Sequence, residues 1–186
     1  MHKRLLPTVL FSVILIPPAA AHAQERGQTG IVVGYPTNIA LIWHASDRLA
    51  IRPEVAFSHS SSETESSFFG TVSFTDSWNV TVGASALWYM AKTDNVRTYF
   101  SPRLTYSRNR SDSSFSTSDP VSTNVSLAGS FGAEYSPVRK FSVFGEVGYG
   151  FNHGWSKFTT PISTSEGSAW NWAPRTAVGA IFYFGR

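Results

Sequence analysis

The sequence predicts an all-β chain: a single eight-stranded, antiparallel, up-and-down transmembrane β-barrel, preceded by a leader that is removed. Three observations carry this. Segments of about ten residues alternate apolar and polar side chains with a period of two, which on a strand makes one greasy face and one polar face. After residue 23 no apolar run approaches the ~20 residues of a spanning helix, whereas about 9–11 tilted residues suffice for a strand. The connections alternate between short turns and long stretches rich in Ser, Thr and Asp, the layout of a barrel with one tight end and one loop-bearing end. Strands in hydrocarbon must close into a ring, since an open edge leaves backbone groups unpaired.

The chain of 186 residues opens with Lys3 and Arg4, continues in an apolar run from Leu5 to Ile16, and then reads Pro17, Pro18 and Ala21-His22-Ala23. A charged start, a short apolar core and an Ala-x-Ala end make a secretory signal peptide, cleaved after Ala23. The expected organisation is therefore a signal peptide over 1–23 and one barrel domain over 24–186. The leader holds two of the 15 basic residues and none of the 12 acidic ones, so its loss lowers the formal charge from +3 to +1. That balance excludes an argument for nucleic acid. With no cysteine, nothing is stapled by disulfides.

The clearest strand runs from Trp78 to Met90, where Trp78, Val80, Val82, Ala84, Ala86, Trp88 and Met90 face one way and Asn79, Thr81, Gly83 and Ser85 the other. The same grammar appears at Ile39 to Ala45, Arg48 to Ser58, Arg97 to Arg108, Val125 to Tyr135, Phe141 to Phe151, and from Asn171 to Phe184. Short turns are expected at Ser46-Asp47, Lys92 to Asn95 and Ser136 to Lys140, and long polar loops at 59–77, 109–121 and 154–169. Seven segments are one too few, because both ends of a bacterial single-chain barrel lie in the periplasm. The eighth strand is expected upstream, at Thr29 to Tyr35, turning at Pro36 to Asn38. The rival, Phe68 to Thr75, breaks the hairpin repeat and reads as strand extension or as a hairpin within the longest loop.

The polar faces carry Arg52, Glu54, Arg103, Glu134, Glu146 and Arg175, three of each sign. With lipid on the other face, these six point into a lumen that eight strands make just wide enough for side chains to fill. Charges in so narrow a space must pair. They form an ion path or, better suited to the balance of signs and the small neighbours, a salt-bridge network that plugs the lumen. Arg52 and Glu54 share a face two residues apart, which puts them in reach of each other along one strand.

Aromatic residues make up 15% of the chain and fall into two girdles. Trp43, Trp88, Phe100, Phe141, Phe182 and Phe184 lie toward the short turns, and Trp78 and Tyr106 toward the long loops, with Trp155, Trp170 and Trp172 open to a second reading as a sugar-binding surface. The mature histidines His44, His59 and His153 lack metal-ligand spacing, so neither a metal nor another cofactor is expected. A lipid-trimming enzyme would require His59 with Ser60 or Ser61, or His153 with Ser156, plus an acid such as Glu63 or Glu65. In loops so rich in serine the chance neighbour is the favoured account, and no catalytic residue is assigned.

The leader, the strand grammar, the segment Phe144 to Gly150 and the closing Ala180 to Phe184 together resemble the small bacterial outer-membrane β-barrel family, which includes the membrane domain of outer-membrane protein A and the opacity-type surface proteins. The resemblance covers the whole mature chain. It implies a monomer in a Gram-negative outer membrane, in contact with bilayer and lipopolysaccharide, with a structural or surface role in envelope integrity, adhesion or narrow-pore permeability. It also implies assembly through a last strand ending in an aromatic residue, here Phe184; the sequence departs from that pattern by adding Gly185 and Arg186. A soluble lipocalin-like carrier shows the same alternation with the faces exchanged. Its solvent face would need more Lys and Glu than these polar faces offer.

Overall fold

In the computed structural model, residues 26–35, 38–66, 71–113, 120–159 and 163–184 are described; the leader, its cleavage point, Gly185 and Arg186 lie outside them. Eight strands follow in order: β1 Thr29–Tyr35, β2 Asn38–Ser46, β3 Leu49–Ser66, β4 Thr71–Lys92, β5 Val96–Ser113, β6 Val121–Val138, β7 Phe141–Thr159 and β8 Thr164–Phe184. Each pairs antiparallel with the next, and β1 pairs with β8, so the barrel is closed.

The upstream segment supplies the eighth strand: Thr29 lies opposite both Trp43 and Phe184. The rival segment extends β4, which begins at Thr71; Phe68 lies outside the described residues. The long polar stretches differ from expectation. Most of 59–66, 71–77, 109–113 and 154–159 is strand, paired out to Ser66↔Thr71, Thr75↔Ser113 and Thr159↔Thr164. The reason is physical. Beyond the bilayer both faces of a strand meet water, so apolar alternation disappears while the backbone ladder continues.

Register fixes the tilt. Following ladder partners from Ile39 gives Val55, Val82, Tyr106, Val125, His153 and Trp170, whereas Val33, opposite Ile39, pairs with Ala180 on β8. The circuit thus shifts by ten residues, from Ala180 to Trp170. For eight strands that is a tilt of about 40°.

Burial shows which face is which. Val55, Val82, Leu104, Leu127, Val147 and Val178 are exposed, while Ser85, Ser101, Ser130 and Ser142 are buried. A face of exposed branched apolar side chains on every strand suits lipid, and the polar set faces the lumen. This arrangement is opposite to that of a lipocalin-like carrier.

Candidate functional site

Parity puts the chemistry inside. Buried positions are even on β3, β6 and β7 (Arg52, Glu54, Glu134, Glu146) and odd on β4, β5 and β8 (Tyr89, Arg97, Tyr99, Tyr183). Nearest the short-turn end, Glu134 is fully buried and anchors the first layer. Its Oε1 accepts from Arg97 Nη2 at 3.1 Å and from the Tyr183 hydroxyl at 2.8 Å, and its Oε2 from the Tyr89 hydroxyl at 3.0 Å. The Arg97 guanidinium lies 4.2 Å from the centroid of the Tyr89 ring, on which His44 stacks at 5.6 Å.

Glu146 anchors the second layer. Arg52 Nη2 donates at 2.6 Å and the Tyr99 hydroxyl at 3.0 Å to Oε1, while Arg175 Nη1 donates at 2.9 Å to Oε2. Arg52 Nε also reaches Ser85 Oγ at 3.0 Å, and Arg175 Nη1 reaches Ser130 Oγ at 3.1 Å. Farther toward the long-loop end, Arg103 pairs with Glu54. Charge-assisted bonds from planar guanidinium forks hold each carboxylate from several directions, the condition under which a buried ion offsets its desolvation.

All six charged residues expected in the lumen are there, but their partners differ in one respect. Arg52 does not pair with Glu54 along β3; it crosses to Glu146 on β7, and Glu54 takes Arg103 on β5. Side chains two apart on a strand run parallel, so their charged ends meet groups across the lumen more readily than each other. Reasoning from sequence missed Arg97, His44 and the three inward tyrosines. The signal was parity: Arg97 and Tyr99 share the odd positions of Arg103, and Tyr89 those of Ser85. In a chain this aromatic, inward tyrosines are hidden among belt residues.

One glycine is indispensable to this arrangement. A Cβ on Gly132 would stand 2.5 Å from Cζ of Tyr99, whose ring is wholly buried. Gly132→Ala is expected to displace the ring and its bond to Glu146, costing about 1–3 kcal/mol as overpacking. A lowered urea midpoint for refolding into liposomes is the readout.

The aromatic residues assigned to girdles lie on the outward parity. Trp43, Trp88, Phe182 and Phe184 are exposed and Phe100 and Phe141 half-buried toward the short turns; Tyr106 is exposed and Trp78 half-buried toward the other end. Trp155, Trp170 and Trp172 are also exposed and outward. Phe141 packs on Phe182 at 5.2 Å, and Phe151 on Trp172 at 5.2 Å. Of the lipid-trimming constellations, Ser60 and Ser156 fall on the faces opposite to His59 and His153, whereas His59, Ser61 and Glu63 share the outward, exposed face of β3 at two-residue spacing. Glu63 is exposed, and the Glu65 side chain lies outside the described residues. Among the described residues no group of three His, Cys, Asp or Glu is placed to hold a metal ion.

Neither a protein-family model nor a curated protein matches the chain in sequence. Among solved structures, it is similar to a major outer membrane protein from Thermus thermophilus, with a TM-score of 0.53 and 15% identity over 84% of this chain and 98% of that one. The fold is that of a small outer-membrane β-barrel. Acinetobacter baumannii CarO aligns with this chain at a TM-score of 0.47 and 13% identity, over 88% of this chain and 100% of that one. Ail, the attachment invasion locus protein of Yersinia pestis, aligns at 0.44 and 14%, over 86% and 99%.

Proposed function

We propose that this chain is an integral protein of a Gram-negative outer membrane whose barrel is a closed anchor and whose protruding strands form a surface for contact with the exterior. In this reading residues 1–23 are a leader removed after Ala23, β8 engages the assembly machinery through Phe184, and the folded protein is a monomer. The observation that supports it most is the density of the charge layers. Glu134 and Glu146 each accept three donors, and the cavity beside Arg52, Phe144 and Arg175 has a volume of only about 10 Å³. Such a space holds about one water at most, which is too little for a continuous ion path.

Lipopolysaccharide is the expected lipid partner at the outer face. A hollow of about 670 Å³ there is bordered by Arg108, Thr123, Trp155, Lys157 and Glu166, combining cations for phosphate with an indole for sugar. The test is reconstitution into planar bilayers with lipopolysaccharide in one leaflet. The expected result is no steady conductance, and a melting temperature above that in phospholipid alone which falls back on Arg108→Ala. Regular conductance steps would overturn the closed lumen, and equal melting in both bilayers the lipopolysaccharide contact.

A further inference from the structure

The wall of this barrel is incomplete in its outer half. β1 has 7 residues, fewer than the ~9–11 a crossing strand needs, and only Pro36 and Thr37 join it to β2. Beyond that hairpin, β3 from Ala56 is paired only with β4, and β8 before Val178 only with β7. With the tilt given by register, the described end of the hairpin at Tyr35 lies about 10 Å below the outer aromatic belt. A lateral slot between β3 and β8 therefore opens within the outer leaflet. On its outward side it is flanked by Phe57 on β3 and by Trp170 and Trp172 on β8, all exposed.

The space behind the slot has a distinctive chemistry. Above Arg103 and Arg175, every described lumen-facing side chain is uncharged: serine, threonine, asparagine, alanine or glycine. The charges of this half, Glu63, Asp76, Arg108, Arg110, Asp112, Lys157 and Glu166, all fall on the outward parity. Five of the chain's seven asparagines point inward here, one on each of β4 to β8. Asn79 lies opposite Asn109, Asn152 opposite Asn171, and Asn124 between them, opposite Ser107 and Gly154. Allowing for tilt, the five lie within about 4 Å of one level along the axis. A hollow of about 320 Å³ borders this belt at Ser122, Asn124, Gly154 and Ala169, within the range of small-ligand sites.

We propose that this vestibule binds the neutral saccharide head of an outer-leaflet glycolipid, which enters sideways through the β3–β8 slot and leaves its hydrocarbon chain in the bilayer. A belt of amides, each both donor and acceptor, matches hydroxyls that are both as well. Each lumen arginine is already paired with Glu54, Glu134 or Glu146, so an anionic head would have to compete with a carboxylate for it, whereas a neutral sugar need not. The free strand edges carry backbone groups that an acyl chain cannot satisfy and sugar hydroxyls can. Eight strands with small inward side chains leave room for one small ligand, so the head is a mono- or disaccharide. The hollow at this site shares Thr123, Trp155, Ser156, Gly167 and Ser168 with the lipopolysaccharide hollow, but its asparagine belt lies on the inward side of the wall and Arg108 and Lys157 on the outward side.

The chain has no cysteine, so Ser126→Cys, on the lumen face of β6, gives a single handle for a benzophenone maleimide. The labelled barrel in phosphatidylcholine liposomes is irradiated with dodecyl maltoside present, and adducts are read by intact mass. The expected result is a dodecyl maltoside adduct, with little dodecylphosphocholine adduct at equal concentration. The Asn124→Leu, Asn152→Leu double variant is expected to lower the yield about tenfold, the loss of roughly two hydrogen bonds, while keeping the heat-dependent gel shift of a folded barrel. Equal labelling by free maltose would overturn the lateral route and leave a site filled from outside. No sugar adduct, or a yield unchanged in the folded double variant, would overturn the saccharide site.

Discussion

Glu146→Leu is expected to destabilise the folded barrel by about 3–5 kcal/mol, because it strands one buried and one half-buried cation at once. Arg52 and Arg175 both donate to this carboxylate, and the Tyr99 hydroxyl loses its acceptor in the same step. Leucine fills much of the space but accepts no hydrogen bond. The measurement is the urea dependence of folding into liposomes. A second substitution, Arg52→Met, should recover a substantial part of the loss, since it removes the charge that Glu146→Leu leaves unpaired. A Glu146→Leu barrel as stable as the parent would mean that water or lipid headgroups already solvate the arginines, and the closed-lumen reading would fall with it.

Val147→Arg is expected to cost about 2–4 kcal/mol in the same assay, from one residue along the same strand and the opposite face. Val147 is 63% exposed and sits on β7 between the belt residues Phe141 and Phe151, close to the middle of the apolar band. An arginine there must snorkel or thin the bilayer. The contrast with Ser85→Thr tests the face assignment: Ser85 faces inward, and its hydroxyl, retained in threonine, accepts from Arg52 Nε. Equal tolerance of both changes would mean that the faces are exchanged and the apolar side is not against lipid.

Much of the architecture was legible in the residues because a half-buried strand imposes strict alternation. That alternation set the inward parity of Arg52, Glu54, Arg103, Glu134, Glu146 and Arg175, and counting connections called for a strand at Thr29 to Tyr35. It failed wherever the two faces of a strand do not differ in polarity. The stretch from His59 to Ser66 reads as a loop because serine and other polar residues occupy both sides, yet β3 and β4 remain paired to Ser66↔Thr71. It also failed where an inward residue is itself amphipathic. Tyr89, Tyr99 and Tyr183 each bury a ring and spend a hydroxyl on a glutamate, so the same residue type serves the belt and the lumen.

The sequence by itself determined the alternating parts of the strands and their inward and outward faces, because both follow from local periodicity and from what lipid and water will each accept. Only the tertiary structure decided which charge meets which across the lumen, and that β3 beyond Val55 and β8 before Val178 each keep one strand partner. Both depend on register: the ten-residue circuit brings Glu146 within reach of Arg52 and Arg175, and sets the short β1–β2 hairpin below the ends of its neighbours. Closure of the ring couples residues far apart in the chain, and no local pattern of side chains encodes that coupling.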